Sequence, residues 1–316
     1  MIEESHFRVI SYFITEQESE VSITTLASQL ELSHGHTSRI VTEMETYGIA
    51  TTTRSGRKKL VALADIEPIE QLEGLLTEYS HMEFPSLIGG SGLELLYYLD
   101  TARTATELCE QCTVSRATIY RRLDELQTVG IVGKSNSSYR LNDPFTVLSS
   151  IARGLFHQCH RQVIERQTTG LNFLWETHDE YLFACDSAID GDGFYSTGPA
   201  RFEEFDVPLL TRDRYHYFKT ERQAELTPAD LVCHMLLIDD SSRYRTYCLL
   251  VILTQGIDKE ILLDRAAHYQ PAASIDLIGI VEDLFDYLET EGETSAEQLP
   301  AWDTFKQTAS EYEINV

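Results

Sequence analysis

Apolar positions in the first 142 residues recur at helical spacing, interrupted by polar turns and two short alternating stretches. Phe7, Ile10 and Ile14 share one face, so residues 3–15 are predicted to form a helix. Ser22 or Thr24 can cap a second helix ending near Leu30, and Ser33 a third that runs to about Tyr47. Gly48 then stands where a glycine ends a helix. Residues 49–54 and 60–63 read as strands around a turn at 55–59. From Pro68 to about Tyr79, Leu72, Leu75 and Leu76 predict a helical spacer, broken by Phe84, Pro85 and the glycines at 89, 90 and 92. Helices at 93–99, 104–112 and 115–129 follow, then strands at 130–132 and 139–141 around a hairpin tip at 134–138.

Asp143 and Pro144 open a long helix to about Gln167. Leu148, Ile151, Leu155, Cys159 and Val163 form an apolar stripe on it, suited to a partner helix. The last third is predicted to carry strands at 181–185 and 215–220. Helices should follow at 227–238, 243–253, 259–269 and 275–290, the first with Pro228 at its opening position. The acidic tail after Glu291 is expected to fray. The fold class is mainly α with small β hairpins, α+β overall. Its segments are 1–66, a helical spacer at 67–90, 91–142, a linker or dimerisation helix at 143–169, an α+β domain at 170–290 and a tail at 291–316.

The strongest organising signal is a repeat. Residues 24–49 return as 106–131 at a constant offset of 82, with nine of 26 positions identical. The pairs include Leu26/Leu108, Ser33/Ser115, Arg39/Arg121, Glu43/Glu125, Thr46/Thr128, Gly48/Gly130 and Ile49/Ile131. We call the segments copy one and copy two.

Composition sharpens this picture. The 316 residues carry 51 acidic and 25 basic side chains, a net charge of −26. Six of the basic residues are Lys and 19 are Arg. Carboxylate excess with scarce Lys resembles the cytoplasmic proteins of salt-loving archaea, so a halophilic archaeon is the expected source. Against that background, residues 34–60 hold five basic and two acidic side chains, and 113–140 hold the same numbers. Two islands of positive charge therefore fall at corresponding places in the two copies, where an anionic partner would lie.

Other chemistry is less supported. The six cysteines form no even framework, and the acidic start does not resemble a signal peptide, which predicts an intracellular, cytoplasmic and reduced protein. The longest apolar run, near 247–253, falls far short of the ~20 residues that span a bilayer, so no membrane contact is expected. Cys109 and Cys112 align with the apolar Ala27 and Leu30 and read as core rather than a metal pair. His157, Cys159 and His160 do not converge on a helix. Asp190 to Gly193 lacks the later ligands of a calcium loop, and no phosphate-cradling loop or nucleophile elbow is present. Neither an enzyme nor a cofactor or metal is implied.

Helix, helix, helix, hairpin is the order of a winged helix-turn-helix. Copy one, with Ser33, Arg39 and the basic hairpin, resembles a MarR-type module; copy two, with Ser115, Arg121 and a short hairpin, resembles an ArsR-type module. The resemblance covers roughly residues 1–142 and implies double-stranded DNA as partner, with the start of the third helix in the major groove. The candidate DNA-binding residues of copy one are then His34, His36, Ser38, Arg39, Arg54, Arg57, Lys58 and Lys59. Those of copy two are Ser115, Arg116, Thr118, Tyr120, Arg121, Arg122 and Lys134. Copy two has the stronger helix and copy one the stronger hairpin, so copy two is expected to read sequence while copy one anchors. At ~1 M salt the Debye length is only ~3 Å, and a second tethered head would restore affinity by effective concentration.

Residues 208–288 resemble, in order and hydrophobic pattern, the C-terminal domains of abortive-infection antitoxins, which implies a protein partner there. Three functions are thus in view: a DNA-binding transcription regulator, dimeric through the 144–167 helix; an antitoxin that restrains a nucleotidyltransferase toxin and represses its own operon; and an adaptor whose winged helices bind protein.

Overall fold

The computed structural model describes residues 2–209, 214–293 and 298–316. The chain is α+β, helices with small antiparallel sheets, and divides into two compact units, Met1–Arg166 and Gln167–Val316.

In unit 1, copy one consists of α1 (Glu4–Glu16), β1 (Val21–Ser22), α2 (Ile23–Gln29), α3 (His34–Thr46), β2 (Ala50–Ser55) and β3 (Lys58–Leu63). Then come α4 (Glu67–Glu78) and a short α5 (Phe84–Ile88). Copy two follows as α6 (Ser91–Tyr97), β4 (Arg103–Thr104), α7 (Ala105–Gln111), α8 (Arg116–Thr128), β5 (Val132–Ser135) and β6 (Ser138–Leu141), and α9 (Val147–Glu165) ends the unit. The first sheet has the order β1-β3-β2 and the second β4-β6-β5.

The identities of the repeat serve the same local physics in both copies. Ser33 Oγ accepts from His36 N at 3.2 Å, and Ser115 Oγ from Thr118 N at 3.3 Å, each meeting a helix donor that has no intrahelical partner. Gly48 and Gly130 take φ of +67° and +80°, which lets Ile49 N and Ile131 N reach back to Met44 O and Leu126 O, both at 2.9 Å. Leu26, Leu108, Ile49 and Ile131 are fully buried, as are the inward positions Val41, Met44 and Leu126; Leu123 is nearly so. Thr46 and Thr128 each turn their hydroxyl back to the carbonyl four residues earlier. Ser22, not Thr24, caps α2, with Thr25 N 3.1 Å from its Oγ.

Some expectations change. Lys58 and Lys59 lie on β3 and Lys134 on β5, because the hairpins close around two-residue turns, Gly56-Arg57 and Asn136-Ser137. The long helix starts at Val147, not at 144. Its stripe is not left for a second chain: Leu148, Ile151 and Leu155 are buried in the core of unit 1, where α9 packs on α4 and α6. These three of the five stripe residues that suggested a homodimer are covered within the chain, while Cys159 and Val163 are half-buried.

Unit 2 has strands β7 (Asn172–Glu176), β8 (Tyr181–Cys185), β9 (Phe194–Ser196) and β10 (Tyr215–Lys219) in the order β7-β8-β10-β9, all antiparallel. A 3-10 segment, Gly198–Phe205, lies between β9 and β10. Trp175, Leu182 and Phe218 share one core with α10 (Pro228–Ile238), α11 (Ser242–Gln255), α12 (Lys259–Tyr269) and α13 (Leu277–Glu289). Ala229 to Leu236 are all buried at eight consecutive positions, which marks α10 as the helix surrounded by the others, and Leu249 to Ile252 of α11 are buried against it. The tail departs from its expected fraying. α14 (Trp302–Glu311) buries Phe305 and Ala309 completely, and the Trp302 and Phe305 rings stand 5.3 and 5.7 Å from that of Tyr287. An apolar stripe within the acidic segment docks it.

Candidate nucleic-acid interface

Helix α8 presents the most exposed polar face of copy two. The Arg116 guanidinium lies 5.6 Å from the centre of the Tyr120 ring, and its Nη2 is 3.4 Å from the phenol oxygen, so the two side chains support each other at the helix start. Tyr120 is one of few large apolar side chains left open, at 43 % exposure. Arg121 is also exposed and pairs with Glu125 at 2.9 Å, four residues on. The equivalent pair in copy one, Arg39 and Glu43, is looser at 3.9 Å. Such surface pairs contribute a few tenths of a kcal/mol and yield readily to a phosphate or a base. Ser115 and Thr118 are turned to the helix cap and to each other, at 3.0 Å between hydroxyls. Helix α3 offers less: exposed His34, half-buried His36 and Ser38, and Arg39, whose Nη2 lies 3.5 Å from His36 Nδ1.

Arg122 departs from expectation. Its side chain is only 17 % exposed and donates to Ser91 Oγ, Ser86 O and Glu125 Oε2 at 2.9 Å and to Gly89 O at 3.4 Å. It ties α8 to the α5–α6 junction and has no free edge for DNA. Its repeat equivalent is Ile40, 1 % exposed, so the offset of 82 already marked the position as inward.

The β2–β3 hairpin concentrates charge. Arg54 stands opposite Lys59 and Ser55 opposite Lys58, with Gly56 at φ +62° and Arg57 at the tip. Like charges in direct register repel. One is balanced: Lys59 Nζ lies 3.1 Å from Glu45, whose carboxylate also accepts from Thr52 Oγ1 at 2.6 Å. The hydrogen bond from Thr52, followed by the hydrogen bond and charge of Lys59, holds the Glu45 carboxyl below its usual range. Arg54, Arg57 and Lys58 are exposed and make no hydrogen bond or ion pair among the described residues. In copy two the hairpin is shorter; Lys134 Nζ lies 4.8 Å over the Tyr139 ring. Arg140, omitted from the expected set, is exposed beside it, as the in-out alternation of Tyr139, Arg140 and Leu141 indicates.

One cluster of titratable groups in unit 2 points inward instead. His234, fully buried, has Nδ1 at 2.8 Å from Thr197 Oγ1 and Nε2 at 2.9 Å from Tyr269 OH. Tyr269 donates to buried Asp230 at 2.9 Å, and Asp230 completes the α10 cap with Thr227 N at 2.9 Å. Burial pushes His234 down to about 4. Burial would raise Asp230, but hydrogen bonds from Thr227 and the charge of Arg265 hold it low. Glu180 is likewise held low against burial by His268, at 3.0 Å, and by Thr220. This is a satisfied polar core joining the sheet to α10 and α12. The Asp190–Gly193 turn leads into β9, Cys112 is buried in the core of unit 1, and no group of three or more potential metal ligands occurs among the described residues. Among the described residues no helix is long and apolar enough to cross a membrane.

A family model described as HVO_2833_C, C-terminal, matches residues 191–314, within unit 2. No curated protein and no solved structure matches the chain.

Proposed function

We propose that the chain is a sequence-specific, double-stranded-DNA-binding transcription regulator whose two repeat copies are winged helices. One observation carries this reading: in a chain of net charge −26, Arg54, Arg57 and Lys58 are gathered on one hairpin, exposed and without counter-charge, and Arg116 and Arg121 lie open on the helix of the second copy. An anionic backbone beside the hairpin would relieve its repulsion, and a major groove beside α8 would offer Arg116 and Arg121 guanine edges. Copy two then reads sequence through Arg116, Tyr120 and Arg121, and copy one anchors through its hairpin. The same unpaired cations favour DNA over the antitoxin and adaptor readings, which would put the working surface against protein.

The test is capture of duplexes from a genomic library by the full-length chain, at salt from dilute to molar. Retention of a defined set that weakens as salt rises is the expected result. No duplex retained at any salt would sink the reading.

A further inference from the structure

The repeat runs past its hairpins. Helix α4 follows β3 and helix α9 follows β6, each after a short connection, and within each copy the first helix packs on this last one, α1 on α4 and α6 on α9. The two last helices then pack on each other. Gly154 of α9 comes so near α4 that a Cβ on it would stand 2.6 Å from Pro68 Cγ. Contact of an element with its own equivalent is what a two-fold interface produces between identical chains. Here it is made inside one chain, and made rigid. Gln158 of α9 donates to Gly48 O at 3.2 Å, and Arg166 to Thr46 O at 3.0 Å, so copy two's last helix caps copy one's α3. At the other seam Gly90 N donates to Ile2 O at 2.9 Å, and Gly89 lies against the Glu4 backbone so closely that a Cβ would clash at 2.6 Å. One continuous apolar core runs through both copies.

We infer that a single chain is the complete DNA-binding assembly, an internal dimer with two unequal heads. Its target is an asymmetric duplex carrying two different elements at one fixed spacing: a base-specific element under α8 and a phosphate-held element under the β2–β3 hairpin. This rests on the DNA-binding reading above. The tethered-head picture is replaced by a fused one, because no flexible segment separates the copies that could absorb a change of spacing. Adding half a helical turn, about 5 bp, would put one element on the wrong face of the duplex, and a full turn would carry it ~34 Å away.

The experiment starts from a duplex selected by the full-length chain, with its protected patches mapped and the mass of the complex measured by sedimentation. Expected are one 36.0 kDa chain per duplex, two unequal patches, and a loss of affinity of about 100-fold or more on inserting either 5 or 10 bp between them. Two chains per duplex with one patch each, or affinity indifferent to spacing, would overturn the inference. Failure to select any duplex would remove the underlying DNA reading instead, which keeps the two failures apart.

Discussion

Copy one and copy two share a scaffold to the level of single hydrogen bonds, yet they expose opposite chemistry. Both use a serine cap, a left-handed glycine exit and a buried isoleucine, at positions 82 apart. Where the scaffold is free to vary, copy one places Arg54, Arg57 and Lys58 on a six-residue-strand hairpin, and copy two places Arg116, Tyr120 and Arg121 on its third helix. The difference teaches that the repeat keeps what folding needs, while the residues facing outward are free to diverge. Phosphate contacts position a protein and base contacts specify its site; in this reading each copy keeps one of the two tasks.

The comparison breaks most visibly at α8. Arg116→Ala with Arg121→Ala should weaken binding to a selected duplex by roughly 100-fold or more, at ~1–3 kcal/mol per lost bidentate contact, and leave weak binding to random DNA nearly unchanged; a filter titration on both duplexes checks it. Removing the hairpin cations together, Arg54→Ala, Arg57→Ala and Lys58→Ala, should weaken both duplexes alike and reduce the slope of log affinity against log salt by up to about 3.

A third contrast lies between neighbours. Arg122→Ala should cost unit 1 about 1–3 kcal/mol, because it strips a donor from the part-buried Ser91 hydroxyl and Gly89 carbonyl and leaves Glu125 without its inner partner, while Arg121→Ala should stay within about 0.5 kcal/mol; denaturant melts separate them. Equal effects would mean that Arg122 does not clamp the α5–α6 junction.

The smallest contrast is in pH. His6 of copy one is buried, its Nε2 3.0 Å from Glu43 and its Nδ1 accepting from Glu3 N at 2.8 Å, and burial lowers its pKa below 6.5. At the offset of 82 stands the apolar Ile88, on α5 just ahead of copy two. The unfolded chain takes up the His6 proton first, so the contribution of this site to stability is present above pH 6.5 and declines as pH falls below it. The melting temperature of unit 1 should drop on acidification, and His6→Leu should flatten that drop. His234 adds a separate loss of the same sign in unit 2 as pH falls from 6.5 toward about 4. Melts with the same acid slope in wild type and His6→Leu would contradict the assignment for copy one.

Much of unit 1 was legible because its signals are local. Caps, glycine exits and apolar spacing lie within a few residues of one another, and the repeat supplied an internal control on each. What escaped depended on distant partners. The strands β1 and β4 are two residues long and exist only through pairing with β3 and β6. The apolar stripe of α9 was visible, but not that α4 of the same chain covers it. Arg122 was misread because charge was weighed before register, although Ile40 stood at the matching position. In unit 2 the docking of α14 hinged on Trp302, Phe305 and Ala309, three apolar residues that the surrounding carboxylates obscured. Arg54, Arg57 and Lys58 of the copy-one hairpin were legible, since an exposed charge needs no distant partner to be seen, whereas the pairing of half-buried Lys59 with Glu45 was not.

The most direct test of the division of labour is base preference. Duplexes should be selected from a random pool by the wild type, by the Arg116→Ala, Arg121→Ala variant and by the Arg54→Ala, Arg57→Ala, Lys58→Ala variant, and their position-by-position profiles compared. The account predicts that the helix variant loses the preferred bases while the hairpin variant keeps the wild-type profile at lower affinity. A hairpin variant whose profile shifts more than that of the helix variant would contradict it.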